Sequence, residues 1–409
     1  MNKTISRYLS KNISYPALIE SLPHNDLGII VVIPSYDEPD INSSILAIAN
    51  CIPPKCSVEI IISINAGKSD LSDIKERNLK CKDDILELKS KMPKWVNAIP
   101  ILHNDLPDKK AGVGLGRKIG MDEAVRRFAQ LAQYRGIIVC FDADSKCESN
   151  YLVEIENHFK DISIESASIN YEHPIEGVEY LQSIYDSIIQ YELHLRYFIR
   201  IQKKINLPYA YHTVGSSMAC TVAAYCAVGG MNQRKAGEDF YFIHKLVKFG
   251  KHSELNSTKV IPSPRISDRV PFGTGRAIGT MQELNETTYN TYDPQSFNDL
   301  SILVEKLPDI YNSKNLQHDL PEGVKQFLIL SNGKEELERI LKNTSDYLSF
   351  SKMFWHWFDA FLLMKYLHFM RDNHYPDIQV LRAVNFIEDN SFDSGREALI
   401  YYREHDLFD

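Results

Sequence analysis

The stretch Gly136-Ile137-Ile138-Val139-Cys140-Phe141-Asp142-Ala143-Asp144 decides how this sequence folds. Its apolar, β-branched first part is typical of an inner strand of a parallel sheet. Ligands of open α/β sheets bind just beyond the carboxyl ends of such strands. Two carboxylates there need a charged partner, and Mg²⁺ or Mn²⁺ is commonly held by one or two carboxylates together with substrate phosphates. The stretch therefore predicts a strand ending in a metal site, with a turn of solvated acids as the alternative.

Strand-like and helix-like patterns alternate on both sides of this stretch. The predicted elements before it are a strand at 28–33, a helix at 42–50, a strand at 58–64, a helix at 71–88, a strand at 98–102 and a helix at 116–134. Those after it are a strand at 162–170, a long helix at 175–204, a helix at 237–250 and a short strand at 259–261. Such alternation indicates an α/β fold with a mainly parallel sheet. From about residue 296 only helices are predicted, so we expect an N-terminal extension at 1–26, an α/β domain at 27–295 and a helical domain at 296–409.

Composition excludes several classes of function. The 409 residues carry 46 Lys and Arg against 54 Asp and Glu, a net charge of −8, which argues against a nucleic-acid partner. The seven cysteines form no Cys-x-x-Cys pair, so reduced thiols in the cytoplasm are expected. The sequence contains no run of 18 or more apolar residues, so no membrane span is predicted. A peripheral position at the inner membrane face stays open as an alternative.

An aromatic residue lies among acids at the end of the first predicted strand, in Pro34-Ser35-Tyr36-Asp37-Glu38-Pro39. A ring beside acceptor side chains at a strand end suits stacking on a nucleobase and hydrogen bonding to it. Taken alone, the segment equally fits a polar turn.

A basic, glycine-rich segment, Lys109-Lys110-Ala111-Gly112-Val113-Gly114-Leu115-Gly116-Arg117, precedes a predicted helix. Glycines let the backbone approach a ligand, and a helix N-terminus favours an anion. The segment does not match the dinucleotide fingerprint, because Arg117 stands where the last glycine would be, and no phosphate-binding Gly-x-x-x-x-Gly-Lys-Ser/Thr occurs.

Two later segments carry charged residues that suit catalysis and phosphate binding. Glu238 and Asp239 follow Gly237 at the start of a predicted helix, where the helix dipole alone favours acids. One of them within reach of a hydroxyl could also act as a general base. Arg265, Arg269 and Arg276 lie in a loop rich in proline and glycine, which is either a solvated surface loop or a phosphate-binding loop that closes over a ligand.

In their order along the chain, these segments resemble family 2 glycosyltransferases of the GT-A fold. The resemblance rests on strand-Pro-Ser-Tyr-Asp-Glu, strand-Asn-Ala-Gly, Gly-Arg-x-x-Gly-x-x-x-Ala, Asp-x-Asp, Gly-Ser-Ser-Met and Gly-Glu-Asp, and it covers about residues 27–278. It implies a nucleotide-sugar site made by Pro34, Tyr36, Glu38, Asn65, Arg117, Asp142, Asp144, Arg269 and Arg276. Asp144 would ligate the metal directly, and Asp142 would face both metal and ribose. Asp239 would be the catalytic base, supported by Glu238, and Gly215, Ser216 and Ser217 would line the acceptor side.

The sequence departs from the family's pattern at two places. Asn65 stands where the family usually has an aspartate that reads uracil, so the base stays open between uridine and guanosine. Some relatives supply a metal-ligating histidine after the last core strand, but Pro264-Arg265-Ile266-Ser267-Asp268-Arg269 contains none. The third protein ligand of the metal is therefore undetermined.

The resemblance implies an enzyme that depends on Mn²⁺ or Mg²⁺ and works in polysaccharide biosynthesis. It would move a sugar from a UDP- or GDP-sugar to a sugar, lipid-linked or small-molecule acceptor, inverting the anomeric carbon, and a homodimer is an open expectation. Three alternatives remain: a retaining transferase of the same fold, a nucleotidyltransferase, and a non-catalytic nucleotide-sugar-binding protein.

Overall fold

The computed structural model describes residues 3–269, 272–314 and 319–406. The strands are β1 Leu27–Ser35, β2 Ser57–Gly67, β3 Val96–Leu106, β4 Ile137–Cys140, β5 Lys146–Cys147, β6 Ser166–Tyr171, β7 Met218–Thr221, β8 His252–Ile261, β9 Asn290–Thr291 and β10 Ile378–Gln379. The helices are α1 Lys3–Lys11, α2 Ile41–Ala49, α3 Ser72–Lys89, α4 Val113–Gln130, α5 Tyr151–His158, α6 Gln182–Lys204, α7 Val222–Ala227, α8 Glu238–Phe249, α9 Thr274–Leu284, α10 Pro294–Ser313, α11 Glu322–Leu330, α12 Gly333–Lys342, α13 Tyr347–Trp357, α14 Ala360–Asn373, α15 Val380–Ile387 and α16 Gly395–His405.

An eight-stranded sheet, in the order β3-β2-β1-β4-β7-β6-β8-β5, forms the centre of the fold. Its first four strands are all parallel, β7 is antiparallel to β4 and β6, and β8 runs parallel to β6. The predicted α/β class with a mainly parallel sheet is therefore confirmed. Because β1, β2 and β4 are parallel, their carboxyl ends lie at the same edge of the sheet. Tyr36, Asn65 and Asp142 therefore lie at that edge.

The central strands are apolar because both faces of the sheet are covered. Residues Ile29–Ile33 of β1 are fully buried, and β4 is buried along its whole length. Each aliphatic side chain so buried contributes roughly 1.5–3 kcal/mol to folding. This explains why both runs lack the polar alternation of a half-exposed strand.

The chain divides into two compact units. The first comprises Met1–Val178 and Thr213–Arg276, and the second comprises Glu179–His212 and Ala277–Asp409. This division differs from the expected boundaries, because α6 groups with the C-terminal helices although it precedes β7 and β8 in sequence. The N-terminal segment also belongs to the first unit and is not separate from it.

Buried ion pairs connect α6 to the end of the second unit. Glu192 accepts hydrogen bonds from Arg196 Nε at 2.8 Å and from Arg403 Nη2 at 2.7 Å, and Arg196 also donates to Asp406 at 2.6 Å. Such pairs hold α6 and α16 together although about 200 residues separate them in sequence. Within the described residues, no helix is both long and apolar enough to cross a bilayer.

The segment before β1 is held to α4 by a buried polar cluster. Tyr8 Oη donates to Asp122 at 2.7 Å and accepts from Lys118 Nζ at 2.9 Å. Tyr225 Oη donates to the same Asp122 oxygen at 2.9 Å. Farther along, Arg127 Nη1 donates to the carbonyl of Ser21 at 2.8 Å. The segment is therefore packed into the first unit by specific contacts.

We expect Tyr8→Phe to lower the free energy of unfolding by about 1–3 kcal/mol, since buried Asp122 and Lys118 each lose a hydrogen-bond partner. Urea unfolding followed by circular dichroism measures the change. Ser10→Ala, on the exposed side of the same helix, is the matched control and should change stability by less than about 0.5 kcal/mol. Equal unfolding midpoints for the two variants would contradict this role of Tyr8.

Candidate nucleotide and catalytic site

The buried guanidinium of Arg117 joins three parts of the chain. Its Nη2 donates to Asp142 Oδ1 at 2.9 Å, its Nε to Glu238 Oε1 at 3.3 Å, and its Nη1 to the carbonyl of Gly215 at 2.9 Å. Asp142 follows β4, Gly215 precedes β7, and Glu238 begins α8. Arg117 thus brings together residues expected on the donor, acceptor and catalytic sides of the site, and we name Arg117, Asp142, Gly215, Glu238 and Asp239 the Arg117 cluster.

The glycines before Arg117 allow α4 to lie close to its neighbours. A Cβ on Gly114 would lie 2.1 Å from the carbonyl oxygen of Arg234, and a Cβ on Gly116 would lie 2.6 Å from Asn65 Nδ2. Neither distance leaves room for a side chain. The glycines therefore allow the close packing of α4 that brings Arg117 inward, and their expected approach to a ligand stays a prediction.

The guanidinium of Arg117 pairs with the carboxylates of Asp142 and Glu238. Glu238 and its neighbour Asp239 both hold protons more tightly than usual. Burial, with the neighbouring charge of Asp239, raises the pKa of Glu238 to about 7. Burial also raises the pKa of Asp239, against the opposing effects of the Phe240 backbone N–H and Arg117. Asp239 is half-buried whereas Glu238 is buried, so of these two acids Asp239 is the one that a substrate can reach.

A second group of charges lies at the ends of β1, β4 and β8. Arg265 Nη1 donates to Glu38 Oε1 at 2.8 Å, and its Nη2 donates to Oε2 of the same carboxylate. Arg265 Nε lies 2.9 Å from Asp144 Oδ2. Arg269 Nη1 donates to Glu38 Oε2 at 3.1 Å. We name Glu38, Asp144, Arg265 and Arg269 the Arg265 cluster.

The Arg265 cluster borders an open cleft of about 540 Å³, which is lined by Asp37, Glu38, Pro39, Arg77, Arg265, Ile266, Ser267, Asp268 and Arg269. Burial raises the pKa of Asp144 to about 6, although the charge of Arg265 opposes the rise. A cleft lined by arginines beside the carboxyl ends of parallel strands suits an anionic nucleotide.

The turn after β1 presents Tyr36 and Asp37 near this cleft. Tyr36 is half-buried, and burial together with Asp70 raises the pKa of its phenol. Asp37 has a positive φ of 48°, which aspartate and asparagine tolerate better than most residues, and its carboxylate accepts from Arg77 Nη2 at 2.9 Å. The Asp37 backbone N–H donates to Asn78 Oδ1 at 3.2 Å. These contacts fix the turn that carries Tyr36.

Pro34 and Asn65 lie inside the protein. Pro34 is buried within β1, and Asn65 is 1% exposed at the end of β2. Asn65 Nδ2 donates to the carbonyl of Ser35 at 2.9 Å and to that of Ser63 at 3.2 Å. In this arrangement Asn65 connects two strands, and its expected reading of the base stays a prediction.

The remaining predicted residues lie at different depths. Ser216 and Ser217 are fully buried, and their hydroxyls have no hydrogen-bond partner in the part of the chain that the structure describes. Gly215 is half-exposed, so of these three acceptor-side residues it is the one that reaches solvent. Arg276 donates to the exposed Asp268 at 3.0 Å. The acceptor role of residues 215–217 and the nucleotide role of Arg276 stay predictions.

Both aspartates of Asp142-Ala143-Asp144 are paired with arginines. Asp142 contacts Arg117, and Asp144 contacts Arg265. Across residues 3–269, 272–314 and 319–406, no three His, Cys, Asp or Glu side chains are grouped as a metal site would need. These donors do not fit a protein-held divalent cation in the present arrangement, and the expectation of Mn²⁺ or Mg²⁺ stays a prediction.

From the sequence, Arg265 is predicted only as part of a loop that is either solvated or phosphate-binding, whereas the structure pairs it with the carboxylates of Glu38 and Asp144. A signal was present: Arg265 lies four residues after the end of β8, in the segment where some members of the resembling family supply a histidine and where none occurs. A cationic side chain in that segment indicates an ion pair with the strand-end acids.

Comparisons with known proteins do not identify a family. No protein-family model matches the chain, and no curated protein matches it. Among solved structures, it resembles residues 1–349 of S. aureus TarS at 14% identity, covering 93% of this chain and 88% of that one, with a TM-score of 0.39. The structure of TarS 1–349 in complex with UDP-GlcNAc matches with the same identity and coverage and with a TM-score of 0.40. A likeness this distant carries no conclusion about activity.

The raised pKa of Glu238 predicts a pH-dependent loss of stability. The folded state binds this proton more tightly than the unfolded chain does. The stabilisation that the proton contributes is therefore fully present below about pH 4.5 and is lost as the pH rises through about 7. We expect the free energy of unfolding of Glu238→Gln, relative to that of the unmodified protein, to rise over this range by on the order of 2–3 kcal/mol.

Urea unfolding at a series of pH values measures this difference. Glu338→Gln, at an exposed position of α12, is the control and should run parallel to the unmodified protein at every pH. A constant difference between Glu238→Gln and the unmodified protein across the range would show that Glu238 does not bind its proton more tightly on folding.

Proposed function

We propose that this protein is a glycosyltransferase that moves a sugar from a nucleotide-diphosphate sugar to an acceptor hydroxyl. The observation that carries the proposal is the Arg117 cluster, in which one buried guanidinium contacts the strand-end Asp142 and the helix-start Glu238. The adjacent carboxylates of Glu238 and Asp239, a pair suited to proton transfer, therefore lie beside the sheet edge where α/β proteins bind nucleotides. The ordered resemblance to family 2 glycosyltransferases supports the same function.

Asp239 is the proposed general base. Its pKa is raised toward neutral pH, and a carboxylate with a pKa near the working pH accepts a proton from a hydroxyl most effectively. Glu238 is less suited to this role, because it is buried and Arg117 holds its carboxylate. In the proposed reaction Asp239 removes the acceptor proton, and the hydroxyl oxygen attacks the anomeric carbon from the face opposite the leaving nucleotide. This attack inverts the anomeric configuration.

Arginines supply positive charge for the leaving diphosphate. Negative charge grows on the β-phosphate as the glycosidic bond breaks, and fixed positive groups stabilise it without reorganising. Arg269 borders the cleft directly, whereas Arg117 is buried among carboxylates and its main effect is to orient Asp142 and Glu238. Tyr36, which directly follows β1, is the proposed stacking partner of the nucleobase.

We expect Asp239→Asn to lower the rate of sugar transfer by about 10²–10⁴-fold, because the amide cannot accept the acceptor proton. Binding of the donor should change little, since the substitution keeps the shape of the side chain. A panel of UDP-, GDP- and dTDP-sugars that includes UDP-GlcNAc, screened by thermal shift with and without Mn²⁺, first identifies the donor. Release of nucleoside diphosphate then reports turnover, and NMR of the product reports its anomeric configuration.

Asp83→Asn, on the exposed face of α3, is the matched control and should transfer sugar at the unmodified rate. Unchanged transfer by Asp239→Asn would exclude Asp239 as the base. A retained anomeric configuration would exclude inversion. Donor binding without turnover on any acceptor would favour the non-catalytic alternative.

A further inference from the structure

The guanidinium of Arg265 lies beside the carboxylate that the sequence assigns to a metal. Its Nε is 2.9 Å from Asp144 Oδ2, while both of its Nη groups donate to Glu38. One planar side chain therefore connects the expected metal ligand after β4 with the acid after β1. The contact to Glu38 uses both carboxylate oxygens, the fork geometry in which arginine binds most specifically.

The Arg265 cluster is balanced in charge without any added ion. Glu38 and Asp144 contribute two negative charges, and Arg265 and Arg269 contribute two positive charges. A divalent cation at Asp144 would meet the repulsion of both guanidinium groups and would have to displace Arg265 from its ion pair. The arrangement therefore does not favour a divalent cation at Asp144.

The remaining donors near Asp144 do not favour a metal either. Asp142 Oδ1 is occupied by Arg117, and Glu38 is occupied by both arginines of the Arg265 cluster. The segment 262–269 contributes no histidine, and Arg265 comes from this same segment.

Both arginines can reach a ligand in the cleft. The side chains of Arg265 and Arg269 are 25% and 36% exposed, and both line the cleft of about 540 Å³. The side chain of Glu38, in contrast, is only 1% exposed. The acid thus forms the buried support of the cluster, and the guanidinium groups form the surface that a phosphate would meet.

We propose that Arg265, with Arg269 beside it, is the cation that binds the diphosphate of the nucleotide sugar, so that nucleotide binding requires this arginine and no divalent metal. The inference rests on the proposed function, because it names what recognises the diphosphate at the same site. In this arrangement Glu38 and Asp144 position the guanidinium of Arg265, and Asp144 is not a metal ligand.

Isothermal titration of the full chain with UDP, GDP and dTDP, each in excess EDTA and again with Mn²⁺, tests the proposal. We expect at least one diphosphate to bind in EDTA, with a Kd that Mn²⁺ changes by less than about twofold. Arg265→Gln should weaken that binding by about 10–100-fold, the loss expected for a charge-assisted contact. Arg265→Gln should leave the weaker binding of the matching nucleoside unchanged, because the nucleoside carries no phosphate.

Arg339→Gln, an exposed arginine of α12 paired with Glu336, is the matched control and should bind the diphosphate as the unmodified protein does. Binding that requires Mn²⁺ would overturn the inference and leave the proposed function standing. An absence of binding for all three diphosphates, with and without Mn²⁺, would overturn both. The comparison of EDTA with Mn²⁺ uses the unmodified protein, so the inference remains falsifiable even where Arg265→Gln fails to fold.

Discussion

The ion pairs of the buried Arg117 guanidinium are the interaction on which the rest of this site depends. A guanidinium inside a protein is stable only where carboxylates or carbonyls surround it, and the buried carboxylate of Glu238 has the same need. Asp142, Gly215 and Glu238 come from three distant parts of the chain, and Arg117 satisfies all of them at once. Removing the guanidinium would leave both carboxylates without their shared partner, so Arg117 links the three segments to one another.

The tripeptide Asp142-Ala143-Asp144 connects the two charged clusters. Its first aspartate belongs to the Arg117 cluster and its last to the Arg265 cluster, while the carbonyl between them accepts a hydrogen bond from Ser44 Oγ at 2.7 Å. That bond ties the tripeptide to α2. Two carboxylates one residue apart therefore have different partners: one faces a fully buried arginine, and the other faces an arginine at the edge of a cleft.

The sequence predicts the parts of the fold that hydrophobic patterning controls. The apolar runs that became β1, β2 and β4 were identified within a few residues, because buried parallel strands are apolar along their length. β7 at Met218–Thr221 was not predicted, since the small apolar run around it has no strand-like alternation. Only the last three residues of β8 were predicted, because the preceding part, 252–258, is mostly polar.

For the candidate site, motif order identified Arg117, Asp142, Glu238 and Asp239, and the structure brings these residues together. The pairing of Asp144 with Arg265 was not predicted, although an arginine in the segment after β8 was a signal for an ion pair there. It depends on where the loop after β8 places Arg265, and that placement follows from strand order in the sheet rather than from local sequence. The burial of Ser216 and Ser217 was not predicted either, because a serine gives no local signal of its depth in the protein.

The anchoring of α1 has a consequence for the order in which the chain folds. Tyr8 closes a cluster whose other members, Lys118, Asp122 and Tyr225, lie 110 or more residues later in the sequence. Contacts of such long range form late, because closing the intervening loop costs entropy that earlier contacts must already have offset. The first helix of the chain is therefore expected to join the structure among the last, once α4 and α7 have packed against the sheet.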